Sequence, residues 1–181
     1  MRRRVLMAAA LGCALCGLLW GGGPPGVWLD VPFIKQVKEG CGAASIAMVM
    51  RYWSRQKNGA EVDPDAIYAA LYSREGHGIY ASDMEDYFRE HGFITFSFAG
   101  EWGDLKQHLE KGRPLIVALK PSSREPVHYA VVTGMDWERG LILINDPAQR
   151  KLLKQDKSSF EREWSAAEKW TLLALLQNDS H

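Results

Sequence analysis

The hydrophobic pattern of this chain changes near Gly112, and that change constrains the fold more than any other feature of the sequence. Between Cys41 and Gly112 most apolar residues recur at the three- and four-residue spacing of helices. Beyond Gly112 they form short aliphatic and β-branched runs that are typical of strands, at residues 115–119, 129–135, 141–144 and 170–176. We therefore predict an α+β domain, with N-terminal helices packed on a C-terminal, mostly antiparallel sheet.

Local sequence signals predict the limits of individual helices and strands. Helices are predicted for residues 41–54, 63–71, 82–91 and 105–111, with a helical turn at 160–164. Asp63 with Pro64 is a typical N-cap and first-turn pair, and Ser82 with Glu85 has the spacing of a capping box. Residues 27–34, interrupted by Pro32, predict an extended segment or an edge strand, and residues 93–98 predict another strand. Gly140 is expected in a hairpin turn.

Residues 1–23 predict a signal peptide or N-terminal anchor rather than a part of the fold. Three arginines follow Met1, then come uncharged, mostly apolar residues to Trp20 and a stretch of glycines and prolines. The apolar run is shorter than the roughly 20 residues that a spanning helix usually needs. Residues 24–181 are therefore expected to form a single domain, in a protein exported to the periplasm or the cell exterior, with its leader cleaved or kept as a membrane anchor.

Charge and cysteine content exclude several classes of protein. The 22 lysines and arginines balance 22 acidic residues, so there is no broad electrostatic case for nucleic-acid binding. Cys13 and Cys16 fall in the leader, which leaves Cys41 as the single thiol of the predicted domain. One cysteine with scattered histidines lacks the closely spaced ligand pairs of zinc sites. We expect no metal and no cofactor.

Cys41 is the residue around which chemistry is predicted. A lone thiol in an exported protein is either a buried small hydrophobe or a reactive group. Cys41 stands at the predicted start of a helix, where the helix dipole and free backbone N–H groups lower a thiol pKa. Gly40 and Gly42 flank it and leave room for a substrate carbonyl. The position favours a nucleophile.

A thiolate nucleophile needs a base and a group that orients the base. His128 opens a predicted central strand, which fixes an imidazole better than a loop does. The other histidines have structural or solvent-exposed interpretations: His77, His91, His108 and His181. Asp146 ends the strand expected to pair with that of His128 and is the predicted orienting acid, unless it merely starts a turn before Pro147.

Acyl transfer also requires donors for the developing oxyanion. Gln36 lies five residues before Cys41, and its amide could join the Cys41 backbone N–H if the intervening loop curls under the helix. The alternative is an ordinary, solvent-exposed loop glutamine. Residues 73–80, with glycines at 76 and 78, are expected to border the cleft.

Two blocks of sequence resemble the C39 peptidase family of papain-like cysteine peptidases. The first runs from Val31 to Gln36 and continues through residues 41–44, and the second joins residues 128–132 and Gly134 to residues 145–147. The resemblance implies a papain-like fold, with Cys41 as nucleophile, His128 as general base and acid, Asp146 as orienting acid and Gln36 as oxyanion donor. Bacteriocin-processing members are usually fused to a transporter and cut after a double glycine, whereas this chain is expected to carry an export signal and no transporter, so its double-glycine specificity is left open.

The sequence therefore predicts an exported cysteine peptidase that acts on a peptide or protein substrate through a Cys41 thioester. A thiol acyltransferase or a cell-wall amidase would use the same residues. A papain-like binding module with an inactive thiol is the third interpretation. The substrate and the oligomeric state are left open.

Overall fold

The chain forms five helices and seven strands in the residues that the computed structural model describes, 25–57 and 62–177. The helices are α1 (Cys41–Lys57), α2 (Pro64–Leu71), α3 (Ala81–Glu90), α4 (Trp102–Glu110) and α5 (Lys157–Ser165). The strands are β1 (Gly26–Trp28), β2 (Phe93–Ala99), β3 (Leu115–Leu119), β4 (His128–Asp136), β5 (Leu141–Asn145), β6 (Leu153–Asp156) and β7 (Trp170–Leu176). The predicted leader, with Cys13 and Cys16, and His181 lie outside the described residues.

All seven strands belong to one sheet, in the order β2-β7-β3-β4-β5-β6, with β1 paired to β4. Each of these pairings is antiparallel. Along one edge of β4, β3 pairs with residues 128–132 and β1 with residues 134–136, while β5 covers the other edge. The predicted α+β class, helices packed on a mostly antiparallel sheet, is confirmed.

The core lies where the helices cover the sheet. All five residues of β3 are buried, as expected for a strand with both faces covered. Helix α1 packs against β3 and β4, and α5 packs against β3, β5 and β6. Trp164, Phe88, Phe160 and Ile46 are among the largest fully buried side chains, each stabilising the fold by about 1.5–3 kcal/mol. The first residues of α1 and β4 are thus held on rigid elements.

Two predicted helix starts are corrected by the structure. Helix α3 begins at Ala81 with Tyr80 as its N-cap, and the predicted Ser82 capping box does not form, because the Ser82 hydroxyl faces Asp83 at 3.3 Å. Helix α4 begins at Trp102 rather than at residue 105. Its start is fixed by Asp104, whose carboxylate accepts from the Glu101 backbone N–H at 2.8 Å.

The strand pattern also differs at two places. Residues 27–34 were predicted as an extended segment or an edge strand, and within them only residues 27–28 belong to a strand, β1. Pro32 has no N–H, and the segment turns away after Leu29, whose N–H bonds the Thr133 carbonyl at 2.8 Å. Strand β6 was not predicted, and it forms by pairing with β5. Within the described ranges, no helix is both long and apolar enough to cross a bilayer.

Candidate active site

Cys41 is the first residue of α1, as the periodicity predicts. A turn precedes Cys41. In this turn the Gly40 N–H donates to the Val37 carbonyl at 3.0 Å, and the Gly40 carbonyl accepts from the Ala44 N–H at 3.0 Å. The thiol is free and half-buried. Its sulfur accepts hydrogen bonds from the backbone N–H groups of Gly42 and Tyr129. Such donors stabilise a thiolate.

His128 is the first residue of β4, and its backbone is paired with Leu119 of β3. Its imidazole hydrogen-bonds the Cys41 thiol. Nε2 lies 2.8 Å from Oδ1 of Asp146, which leaves Nδ1 for the thiol. The ring therefore bridges the thiol and the carboxylate.

Asp146 follows the last residue of β5 and is only 3% exposed. Besides the bond from His128, its Oδ1 accepts from the Ala148 N–H at 2.9 Å, and its Oδ2 accepts from the Gln149 side-chain amide at 2.7 Å. These donors stabilise the ionised form and fix its orientation. Asp146 therefore does more than start a turn before Pro147.

Asn145 was not singled out from the sequence, yet it anchors the loop that carries Asp146. It is fully buried, its Nδ2 donates to the Val31 carbonyl at 3.1 Å, and its Oδ1 accepts from the Leu152 N–H at 3.0 Å. Buried amides with both ends bonded fix backbone geometry. An asparagine directly after a run of apolar strand residues was the signal that could have identified it.

Electrostatics favour a thiolate and imidazolium pair. Burial opposes charge on Cys41, but the hydrogen bond and positive charge of His128 and the two backbone donors outweigh it and lower the thiol pKa. Burial likewise opposes charge on His128, while the bonds from Asp146 and Cys41 raise its pKa to about 9. The pKa of Asp146 is lowered, since its bonds to His128, Ala148 and Gln149 outweigh its burial. The surroundings therefore stabilise Cys41 as a thiolate and His128 as an imidazolium.

Gln36 lies beside this group but is not bonded to it. Its backbone N–H bonds the carbonyl of Pro147, next to Asp146, at 3.0 Å. Its Oε1 is buried without a hydrogen-bond partner. In the part of the chain that the structure describes, no hydrogen bond joins the Gln36 side chain to Cys41 or His128. Its predicted role as an oxyanion donor stays a prediction.

The loop of residues 73–80 lies next to the start of α1. A Cβ added to Gly42 would be 3.0 Å from Cβ of Ile79, so the loop packs directly against the residue after the nucleophile. The Tyr72 hydroxyl donates to the carboxylate of Glu39 and links the end of this loop to the turn before Cys41. The loop is thus adjacent to the thiol.

The remaining histidines have other surroundings. His77 Nδ1 is 3.8 Å from the Glu39 carboxylate, His91 Nδ1 is 2.7 Å from the Tyr87 carbonyl, and His108 lies in α4. Among residues 25–57 and 62–177, no group of three or more histidine, cysteine or acidic side chains could hold a metal ion. The chemistry available at Cys41 is nucleophilic attack assisted by an imidazole.

Comparison with known proteins agrees with the sequence resemblance. The model of the Peptidase_C39 like family matches residues 28–171. A search of curated proteins found no match.

Solved structures show the same fold. The peptidase domain of Streptococcus ComA, a bi-functional ABC transporter involved in quorum sensing, aligns with a TM-score of 0.65 at 22% identity, over 80% of this chain and 98% of that one. A putative C39-like peptidase from Bacillus anthracis aligns at 0.64 and 18% identity, over 83% and 97%. A double glycine motif protease from an AMS/PCAT transporter, solved with a leader peptide, aligns at 0.64 and 23% identity, over 82% and 93%. At these identities the likeness shows the fold.

Proposed function

The chain belongs to the Peptidase_C39 like family, and from that premise we propose that it is an exported cysteine peptidase that hydrolyses peptide bonds through a thioester at Cys41. The observation that carries the proposal is the hydrogen-bonded series from the Cys41 thiol through His128 to Asp146. A nucleophile, a base and an orienting group in this order are the requirement for acyl transfer.

In the acylation step, the Cys41 thiolate attacks the carbonyl carbon of the scissile bond and forms a C–S bond. The negative charge moves to the carbonyl oxygen. The His128 imidazolium then donates its proton to the leaving nitrogen as the C–N bond breaks. An amine leaves, a thioester remains on Cys41, and His128 is neutral.

Stabilisation of the oxyanion is assigned to the helix start. The Cys41 N–H belongs to the first turn of α1, where backbone N–H groups have no acceptor within the helix. The Nε2 amide of Gln36 is the proposed second donor, supported by the position of Gln36 beside Asp146, where its backbone N–H bonds the Pro147 carbonyl.

In the deacylation step, neutral His128 takes a proton from water as the water oxygen attacks the thioester carbon. The C–S bond breaks, and the carboxylic product leaves. The thiolate and imidazolium are restored. Asp146 orients the ring and stabilises its positive charge through both steps but does not exchange a proton.

The proposal is tested with the exported protein on a peptide library derived from a bacterial proteome, with products identified by mass spectrometry. We expect new peptide termini with the wild type and none with Cys41→Ala or His128→Ala. Gln36→Ala is expected to lower turnover about 100-fold or more, the usual cost of losing one oxyanion donor.

The same samples distinguish the alternatives. Acid-quenched intact masses should reveal the acyl group on Cys41. Acyl products joined to added amines instead of water would identify an acyltransferase, and activity confined to cell-wall amides would identify an amidase. A wild type that neither cleaves nor becomes acylated would contradict the proposal and favour a binding module.

A further inference from the structure

A cavity of about 390 Å³ adjoins the candidate active site. His128 and Asp146 form part of its wall, whereas Cys41 does not. The cavity therefore lies on the side of the imidazole that faces Asp146, not on the side that faces the thiol. It continues between the loop before His128 and the loop after Asp146, since Glu125 and Gln149 also line it.

The floor of this cavity is apolar and rigid. Leu119 of β3 and Ile144 of β5, the strands on either side of β4, are 2% and 1% exposed, and Leu153 of β6 completes the floor. A surface of this kind suits an unbranched aliphatic chain, which loses hydration when it lies against such side chains.

The charge of the cavity wall is negative. Glu163 of α5 lines the cavity and is 17% exposed. Its Oε1 accepts from the Gln155 side-chain amide at 2.8 Å and lies 3.8 Å from the guanidinium group of the exposed Arg162. Glu125 lies on the exposed loop and has no ion-pair partner among residues 25–57 and 62–177. Among the residues that the structure describes, no lysine or arginine lines the cavity, and the charges of His128 and Asp146 offset one another. Glu125 is thus available to a ligand, and Glu163 is available through its Oε2, since its Oε1 already faces Gln155 and Arg162.

The reaction chemistry decides which part of a substrate reaches this cavity. The imidazolium must donate its proton to the leaving nitrogen, so the chain that carries this nitrogen passes beside His128. Side chains on the acyl side instead lie near the thiol. A cavity that begins beyond His128 is therefore placed for a side chain of the leaving segment.

We propose that this cavity binds a lysine or arginine side chain carried by the first or second residue on the leaving side of the scissile bond. The aliphatic stem would lie on the floor formed by Leu119, Ile144 and Leu153, and the cationic head would lie between Glu125 and Glu163. The inference rests on the proposed peptidase function and adds a substrate class to it.

The first test compares cleavage sites of the wild type with those of Glu125→Gln and Glu163→Gln in the peptide library. We expect lysine or arginine at the first or second leaving-side position to be enriched about tenfold, as a partly buried ion pair would give. Each variant should reduce the enrichment several-fold. Glu161→Gln, on the same helix but outside the cavity, controls for net charge and should leave the enrichment unchanged.

Cleavage without basic enrichment in the wild type would overturn the inference and leave the peptidase proposal intact. Enrichment that persists in both cavity variants would overturn it as well, because the preference would then arise elsewhere.

The second test does not depend on catalysis. Lysine amide and norleucine amide share the α-amine and the aliphatic stem, and only lysine amide has the ε-ammonium. Binding to the full chain is followed by NMR shifts of cavity residues. We expect lysine amide to bind about tenfold more tightly, with the difference lost in Glu163→Gln. Equal binding of the two amides to the wild type would overturn the inference even if the protein proves to be a peptidase.

Discussion

At the residue scale, Cys41 and His128 each stabilise the charged form of the other. Burial makes the charge of each group costly. The cost is offset on Cys41 mainly by His128, and on His128 first by Asp146 and then by Cys41. The two groups therefore titrate as a pair. Between the lowered pKa of the thiol and the raised pKa of the imidazole, the pair is a thiolate and an imidazolium.

This pairing predicts how Cys41 reacts with iodoacetamide. In the wild type, alkylation should persist to lower pH than for an ordinary thiol, because the thiol pKa is lowered. In His128→Ala, burial remains while the hydrogen bond and positive charge are lost, so the thiol pKa should rise and the rate at pH 7 should fall at least about tenfold. Rates measured from pH 5 to pH 10 test this. Identical profiles for both proteins would contradict the ion pair.

Hydrolysis should show a second limit at high pH. Above about 9 His128 loses the proton that the leaving amine requires, so peptide turnover should decline there while alkylation does not. The comparison of the two profiles in the same buffers separates loss of the acid from loss of the nucleophile. Turnover that rises steadily past pH 10 would exclude His128 as the acid.

Asp146 is a positioning residue. Two substitutions can measure the contribution of its charge separately from that of its hydrogen bond. Asp146→Asn keeps an oxygen for His128 but loses the charge, so we expect turnover to fall about tenfold and the alkaline limit to shift to lower pH. Asp146→Ala loses both and should cost about 100-fold or more. The pH profile is the decisive measurement, because a purely structural defect would lower turnover without moving the limit.

At the element scale, β4 is packed so closely that one of its residues has no room for a side chain. A Cβ added to Gly134 would lie 2.5 Å from the Val27 carbonyl oxygen and 2.8 Å from Cδ1 of Leu143. Gly134→Ala should therefore separate β1 from β4 and destabilise the protein by about 1–3 kcal/mol. Urea unfolding followed by circular dichroism measures the change.

Gly103 provides the matched control. It lies inside α4, and a Cβ there would meet no atom within 4 Å. Gly103→Ala should stabilise the protein by about 0.5–1 kcal/mol, since alanine favours a helix and restricts the unfolded chain. Equal effects of the two substitutions would show that the close approach at Gly134 has no energetic importance.

The sequence predicts elements whose pattern is local and misses those that depend on partners. Helix α1 begins at Cys41 and β4 at residue 128, close to the predicted limits, because periodicity marks both. Strand β6, Leu-Lys-Gln-Asp, has little apolar content and is a strand because it pairs with β5. The start of α4 was missed since an acidic residue, Asp104, supplies its cap.

In the candidate site, too, features with a local sequence pattern were predicted, and features that depend on distant partners were not. Cys41, His128 and Asp146 could be singled out because reactive residue types stand at the ends of predicted elements. The anchoring bonds of Asn145 and the cavity beside His128 could not, because both depend on side chains brought together only by the fold. Asn145 bonds a carbonyl 114 residues away in the chain.

At the scale of the whole molecule, residues 1–23 are expected to direct export. We predict that the full chain expressed in a bacterial host is recovered from the periplasmic or membrane fraction, and that deletion of residues 1–23 keeps it in the cytoplasm. Cell fractionation with mass analysis of the N-terminus tests localisation and cleavage together. Recovery of both forms from the cytoplasm would contradict the export prediction.

The two halves of the domain are joined at the site itself. Asn145 donates to Val31, Gln36 donates to Pro147, and Lys151 pairs with Asp30 at 2.9 Å. Each contact closes a loop of more than a hundred residues, which is slow to form because of its entropy. A chain that is still folding would therefore carry a thiol with only the reactivity of an ordinary cysteine. The rise of thiol reactivity above that level during refolding would time the last step of assembly, and the proposed peptidase activity is expected only after that step.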